Sequence, residues 1–201
     1  MVAKNTSLNE SHDAPSRKLI ARSENAAVYN GSFYGLVLDD VDMVAVDPPW
    51  RQGNLSYWSH RAGTEQRWDI FKREMTKVLS QVDHVYLKVG LKERDEWMSV
   101  VRDYLYLPFI TTWETTYYAG KNAQILASRI SRVDNCHTPS TSPDSANSVA
   151  RWAAFQSVES VCDPCVGLGK MAKKFRDIGA FVLGVELCSD RAAKAAKRLC
   201  K

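Results

Sequence analysis

One short segment combines a carboxylate, two prolines and a large aromatic ring directly after an apolar run. Residues 41–46 read VDMVAV, and Asp47, Pro48, Pro49 and Trp50 follow. Because prolines fix φ and donate no backbone hydrogen bond, the Pro48 carbonyl and the Asp47 carboxylate form a rigid pair of acceptors. Such a pair matches an exocyclic amino group with two N–H donors, and the indole offers a flat face for a planar base. The structural alternative is a rigid turn with a packing tryptophan.

A second candidate site is a glycine-bearing turn near the C-terminus. Gly167 and Gly169 lie between a predicted strand and a predicted helix, where glycines let backbone N–H groups approach a ligand closely. The next strand ends in Glu186, nineteen positions after Gly167, and an acid there suits a bidentate grip on ribose hydroxyls. This arrangement predicts a nucleotide-like ligand at the carboxyl edge of a parallel sheet. Alternatively, the glycines only make a tight connection.

Cysteine usage argues against a metal centre. Cys162 and Cys165 form a CxxC pair, but no second ligand pair accompanies them. The chain has five cysteines, an odd number that is typical of reduced thiols in a cytoplasmic protein. We therefore expect no bound metal.

The two candidate sites need a scaffold, and from residue 27 the sequence alternates strands with helices. Strands are predicted over 27–29, 43–46, 84–89, 161–163 and 180–186, helices over 68–79, 93–104, 143–156, 171–178 and 189–199, and an antiparallel hairpin over 111–118 and 123–128. Residues 51–65 are predicted to be a polar loop. The alternation implies an α/β fold, with a mostly parallel sheet, helices on both faces and antiparallel strands at one edge.

The composition is that of an ordinary globular protein. Hydrophobic residues make up 45% and charged residues 25% of the 201 positions. No apolar run approaches the roughly 18 residues of a membrane span, and a net charge of +4 permits a nucleic-acid partner without requiring one. Residues 1–17 are polar and aperiodic, which predicts a flexible arm before a single domain over 18–201.

Together the two segments resemble motifs of a known enzyme family. Residues 47–50, DPPW, resemble the catalytic motif of the amino-methyltransferases, which move a methyl group from S-adenosyl-L-methionine to adenine N6 or cytosine N4. Residues 163–169, DPCVGLG, resemble their cofactor motif, usually Asp-Pro-Phe-x-Gly-x-Gly. The order of the two motifs is similar to that of the circularly permuted β-type DNA methyltransferases. The resemblance implies a Rossmann-like fold with a catalytic half (27–130), a loop (131–143) and a cofactor-binding half (144–201).

The resemblance also implies the cofactor contacts. In the C-terminal half they are Asp163, Pro164, Cys165, Gly167, Gly169, Glu186 and Leu187. Asn30 and Ser32 lie where the family often has a Gly-Asp beside the cofactor adenine. His137 and Thr138 resemble the family's segment at the methionine end of the cofactor. Two positions depart from the family pattern. Cys165 replaces a usual phenylalanine, and Ser32 replaces a usual acid.

By the same resemblance, the reaction is a direct displacement of methyl onto the amino nitrogen. Asp47 and the Pro48 carbonyl would hold the amino group, and a base extruded from duplex DNA would stack on Trp50. Basic and aromatic residues after the motif are candidates for DNA contact: Arg51, Tyr57, Trp58, His60 and Arg61, with Lys88 at the end of the neighbouring strand. The alternatives are a solvated loop with one packing aromatic residue and an exposed lysine.

The substrate remains open between related candidates. Adenine N6 is favoured over cytosine N4 because Asp47, rather than a serine, precedes the prolines. RNA adenine is an alternative target, and an inactive cofactor-binding subunit is a rival of another class. Family members normally carry a target-recognition region between the halves, and only the hairpin and a short loop lie here between about 110 and 143. We therefore expect a low sequence specificity, a very short recognition sequence, or recognition supplied by a second subunit or homodimer. The small size resembles that of compact phage-like enzymes, which implies a location in the bacterial or infected-host cytoplasm.

Overall fold

The computed structural model describes residues 16–104, 111–119, 123–132, 150, 153–154 and 156–201. Its strands are β1 Lys18–Arg22, β2 Ala26–Asn30, β3 Met43–Val46, β4 His84–Gly90, β5 Thr111–Ala119, β6 Ala123–Ser131, β7 Ser160–Asp163 and β8 Phe181–Glu186. Its helices are α1 Gln52–Arg61, α2 Trp68–Leu79, α3 Arg94–Tyr104, which follows the 3-10 turn Leu91–Glu93, α4 Lys170–Arg176 and α5 Ser189–Leu199.

The strands described form one sheet in the order β1-β2-β8-β7-β3-β4-β6-β5. The five strands from β2 to β4 pair in parallel, and the β5–β6 hairpin continues the sheet antiparallel to β4. All four residues of β3 and of β7 are buried, as expected for strands covered on both faces. The predicted fold class, a mostly parallel α/β sheet with an antiparallel hairpin at one edge, is confirmed.

Helices cover both faces of the sheet. On one face, Val44 and Val46 of β3 share a buried cluster with Phe71 and Met75 of α2. On the other, Met43 and Ala45 of the same strand belong to a cluster that also holds side chains of α4 and α5. Alternate residues of one strand thus reach opposite faces, because successive side chains of a strand point in opposite directions. None of the described helices has the length and apolarity that a membrane span requires.

The C-terminal end of the predicted arm, residue 17, lies in the described part of the chain. Residues 1–15 lie outside the described residues, but Arg17 is 8% exposed and donates from its Nε to the Ser32 carbonyl at 2.8 Å. Directly after it, β1 pairs antiparallel with β2 and adds an unpredicted strand at the sheet edge. Extending the arm to residue 17 was therefore wrong. The short run KLIAR has little pattern of its own and is ordered by pairing with β2.

The predicted polar loop over 51–65 is also wrong, because most of it is helix α1. Leu55 and Ser59 are buried in it, and the Ser59 hydroxyl donates to the Leu55 carbonyl at 2.7 Å. Leu55, Trp58 and Ser59 have the i, i+3, i+4 spacing of a helix face. The polar composition of the segment hides this spacing in the sequence, since only one of the three residues is aliphatic.

Candidate active site

The carboxyl ends of β3, β7 and β8 open onto one pocket of about 290 Å³. Parallel strands end at the same edge of a sheet, so segments far apart in the chain meet there. The pocket is lined by Gly31, Ser32, Phe33, Asp47, Pro48, Pro49, Trp50, Asn54, Leu55, Trp58, Gln66, Phe71, Pro164, Cys165, Glu186, Leu187 and Arg191. The 47–50 segment therefore shares one cavity with Pro164 and Cys165, which follow β7.

Each oxygen of the Asp47 carboxylate has one donor. Oδ1 accepts a hydrogen bond from Trp50 Nε1 at 3.0 Å, and Oδ2 accepts one from Lys88 Nζ at 2.7 Å. The lysine lies within reach because Val46 pairs in register with Leu87, which makes residues 47 and 88 the next neighbours along the two strands. A carboxylate oxygen has two lone pairs, so one on each oxygen is left for a ligand. Lys88, predicted to reach a phosphate, instead points its ammonium at Asp47.

Trp50 is held in place by contacts with Gly90 of β4 and Trp97 of α3. Its carbonyl accepts a hydrogen bond from Trp97 Nε1 at 3.0 Å, and Trp97 is fully buried. Its ring packs against Gly90, where a Cβ would lie 2.9 Å from Trp50 Cε3. The 47–50 segment is thus held by a hydrogen bond and by a close contact that only glycine permits.

The turn after β7 needs its glycines. Gly167 and Gly169 have φ values of 57° and 70°, in the left-handed region that other residues rarely adopt. A Cβ on Gly167 would also lie 2.5 Å from Arg191 Nη2. Before the turn, the buried Asp163 accepts a hydrogen bond from the Cys165 N–H at 3.1 Å. The backbone and the Arg191 side chain therefore meet closely at this turn.

At the end of β8, the buried Glu186 faces the same pocket. Its Oε1 accepts a hydrogen bond from the Cys188 N–H at 2.9 Å, and its Oε2 lies 3.7 Å from Arg191 Nε. Asn30 has a different role from the one predicted. Its side-chain amide donates to the carbonyls of Glu186 and Leu187, each at 2.9 Å, and so ties the end of β2 to the end of β8. Ser32 does line the pocket.

Acidic side chains lie close to one another around the pocket. Burial raises the pKa of Asp163 well above its ordinary value, and the nearby Asp47 and Glu186 carboxylates raise it further, while the Lys88 ammonium opposes them. Acids at the ends of β3 and β8 thus act electrostatically on the buried acid that ends β7.

The cysteines of the turn are poor nucleophiles. Burial raises the pKa of both Cys162 and Cys165 well above the ordinary thiol value, and the Asp163 charge adds to the effect. Since the thiolate is the reactive form, the buried Cys162 and the half-buried Cys165 are held in their inert thiol state. Among the residues whose placement is described, no group of three or more His, Cys, Asp or Glu side chains is placed to hold a metal ion.

Helix α1 forms one wall of the pocket. Trp58 lines the cavity, and its ring lies under the Arg191 guanidinium, with Cζ 3.9 Å from the ring centroid. Arg61 donates to Asp190 on α5 at 3.1 Å. Trp58 and Arg61, predicted to contact DNA, therefore face α5, whereas the other predicted DNA contacts on this segment, Arg51, Tyr57 and His60, are exposed.

Sequence reasoning missed several pocket residues, among them Phe33, Asn54, Leu55, Gln66, Phe71 and Arg191. Arg191 carried one local signal, its place in the first turn of the helix that follows the acid at position 186. Trp97 had the helical spacing of a core residue, which does not reveal its hydrogen bond to Trp50. His137 and Thr138 lie outside the described residues.

No protein-family model and no curated protein matches the sequence. Solved structures do match the fold. M1.HpyAVI has 12% identity and a TM-score of 0.51, over 79% of this chain and 87% of that one. TTHA0409 from Thermus thermophilus, assigned as a DNA modification methylase, has 17% identity and a TM-score of 0.50, over 80% and 88%.

A third similar structure is the PvuII DNA methyltransferase, which is cytosine-N4-specific, with 11% identity and a TM-score of 0.50 over 88% of this chain and 86% of that one. At such identities the likeness concerns the fold. This chain has the Rossmann-like fold found in these methyltransferases, and its pocket lies at the carboxyl edge of the parallel strands.

Proposed function

We propose that this protein transfers a methyl group from S-adenosyl-L-methionine to the exocyclic amino group of a nucleobase in DNA, with adenine N6 as the target. The observation that carries the proposal is the shared pocket, in which the 47–50 segment faces Pro164, Cys165 and Glu186. The similar fold of M1.HpyAVI, which has been solved in complex with S-adenosylmethionine, supports the same cofactor for this chain.

The residues on the cofactor side of the pocket fit this group. Glu186 offers a buried carboxylate for ribose hydroxyls, and the left-handed glycines at 167 and 169 keep the turn free of side chains. The carboxylates of Asp47 and Glu186 line the pocket and suit a ligand that carries a sulfonium and an ammonium group. When bound, the cofactor supplies an electrophilic methyl group.

On the substrate side, Asp47 and the Pro48 carbonyl accept the N–H groups of the amino nitrogen. Their rigid placement orients the nitrogen lone pair toward the methyl donor, and orientation supplies much of the rate enhancement in such a transfer. Positive charge would develop on the nitrogen as its bond to the methyl carbon forms and the S–C bond breaks, and the Asp47 carboxylate would stabilise that charge until the nitrogen releases a proton to solvent. In duplex DNA the base must first leave the stack, and the Trp50 indole offers it a surface.

The fold does not distinguish the two bases, because a cytosine-N4-specific enzyme shares it. Adenine is therefore proposed over cytosine only because Asp47, rather than a serine, precedes the prolines. The proposal also includes the permuted order of the halves within a single domain over 18–201. Because only a short segment lies between about 110 and 143, the proposal includes a low sequence specificity, a very short recognition sequence, or dependence on a second subunit for recognition. The proposed location is the bacterial or infected-host cytoplasm.

The test is methyl transfer from labelled S-adenosylmethionine to unmethylated duplex DNA, single-stranded DNA and RNA, followed by digestion to nucleosides. We expect N6-methyldeoxyadenosine from the wild type and none from Asp47→Ala. Asp95→Ala is the matched control, because that side chain is 90% exposed and bonded to Arg94.

Label in deoxycytidine or in RNA would replace the proposed substrate with one of the two alternatives. Cofactor binding without label on any polymer would reject catalysis and leave the inactive-subunit hypothesis. If Asp47→Ala transfers as much label as the wild type, the assignment of Asp47 to the active site is wrong.

A further inference from the structure

The ion pair between Lys88 and Asp47 stands out because it lies inside the pocket region. Its N–O distance is 2.7 Å, and the two side chains are 23% and 37% exposed. Lys88 comes from β4 and Asp47 from the end of β3, so the strand register alone brings them together. Because the lysine is partly buried, this pair is less screened by water than a surface salt bridge.

The charges around the pair favour a specific role for the lysine. The Asp47 and Glu186 carboxylates lie close enough to Asp163 on β7 to raise its pKa, and the Lys88 ammonium acts on Asp163 in the opposite direction. The second cation in this region, Arg191, lies beside Glu186. Among the described residues around the pocket, Lys88 is therefore the cation that pairs with Asp47.

We propose that Lys88 is a positioning residue for methyl transfer, whose ammonium holds the Asp47 carboxylate in the plane that presents its remaining lone pairs to the substrate amino group. This inference rests on the proposed function. Trp50 Nε1 holds Oδ1 and Lys88 Nζ holds Oδ2, so two donors from two elements fix the rotation of one carboxylate. Without the lysine, the carboxylate keeps a single anchor and turns about its Cβ–Cγ bond.

This role differs from a contact with the DNA backbone, and kinetics separate the two. A phosphate contact affects DNA affinity and its salt dependence, since each neutralised phosphate releases counterions. A positioning residue affects the rate at saturating DNA, since a misplaced group near the reacting atoms lowers kcat with little effect on binding.

The experiment compares wild type, Lys88→Met and Lys88→Arg, with Lys92→Met as the charge-matched control because Lys92 is exposed on the turn after β4. We expect Lys88→Met to lower kcat about 100-fold, with unchanged affinity for S-adenosylmethionine and an unchanged slope of DNA KM against salt. Lys88→Arg should restore part of the rate, and Lys92→Met should match the wild type. A loss confined to DNA KM, with a smaller salt slope, would overturn the proposal in favour of a phosphate contact.

A double-mutant cycle in thermal unfolding separates this proposal from the function on which it rests. We expect Asp47→Asn and Lys88→Met together to destabilise the protein by less than the sum of the two single changes, because each removes the same contact. Strict additivity would overturn the pairing even in an active enzyme. A coupled pair in a wild type that transfers no methyl group would overturn the proposed function, and with it the catalytic role of Lys88, while the contact itself stands.

Discussion

The Arg191 guanidinium stacks on the Trp58 indole, with Cζ 3.9 Å from the ring centroid. This contact joins α1, which follows the proposed catalytic segment 47–50, to α5, which follows Glu186. Arg191 also lies 3.7 Å from Glu186 and against Gly167. One side chain therefore connects three parts of the proposed cofactor wall, and it makes the position of α1 depend on the cofactor half.

Replacing Trp58 with alanine should weaken cofactor binding. The change removes a partly buried cation–π contact and frees Arg191 to move within the pocket, so we expect about a tenfold loss in affinity for S-adenosylmethionine. Isothermal titration calorimetry measures it. Tyr57→Ala is the matched control, because Tyr57 is 56% exposed on the same helix, and it should bind the cofactor like the wild type. Equal affinities for Trp58→Ala and the wild type would contradict the structural role of the stack.

Gly167→Ala should lower both stability and cofactor affinity. An L-residue at a φ of 57° costs about 1–2 kcal/mol, and the added methyl group would displace the Arg191 guanidinium. Thermal unfolding and calorimetry measure the two effects.

The matched control for Gly167→Ala is Gly53→Ala within α1, where a Cβ meets nothing within 4 Å. That substitution should stabilise the helix by up to about 1 kcal/mol. A destabilisation of equal size in both variants would show that the turn has no special need for glycine.

Asp163→Asn should stabilise the protein at neutral pH. The pKa of Asp163 is raised well above 3.8, mainly by burial and then by Asp47 and Glu186. The folded state thus binds more protons than the unfolded state above pH 3.8, and stability falls as pH rises through the window up to the raised pKa. Asparagine keeps an acceptor for the Cys165 N–H and removes this penalty.

Melting temperatures measured between pH 4 and pH 8 check the Asp163 prediction. The variant's advantage should be largest at pH 8 and should shrink as the pH falls toward 4. A constant difference across this range would contradict it, and so would an advantage that grows with acid.

Trp97→Phe should destabilise the protein and disturb the proposed catalytic segment 47–50. It leaves the Trp50 carbonyl without its 3.0 Å donor and opens a small cavity in the core, at a cost of about 2–4 kcal/mol. Trp68→Phe is the matched control, because the Trp68 indole N–H bonds the exposed Glu96 at 2.8 Å, and it should cost much less. Chemical denaturation measures both, and equal losses would contradict a special role for the buried bond.

Local sequence determined the central parallel strands and the proposed functional groups at their ends. The apolar runs of β3, β7 and β8 end at or just before an acid, and the carboxyl ends of parallel strands share one edge of the sheet. The sequence alone was therefore sufficient to predict that Asp47, Asp163 and Glu186 belong to one site. The left-handed glycines of the turn were predictable for the same reason, since a tight turn beside a ligand needs residues without a Cβ.

Tertiary structure alone decided the partners of these groups. Helix α1 forms because Leu55 and Ser59 find a core to pack against, which a polar sequence does not reveal. Lys88 meets Asp47 through strand register, and Arg191 meets Trp58 across two helices. These partners are distant in the chain, and the pattern along one segment carries no information about the side chains that folding brings against it.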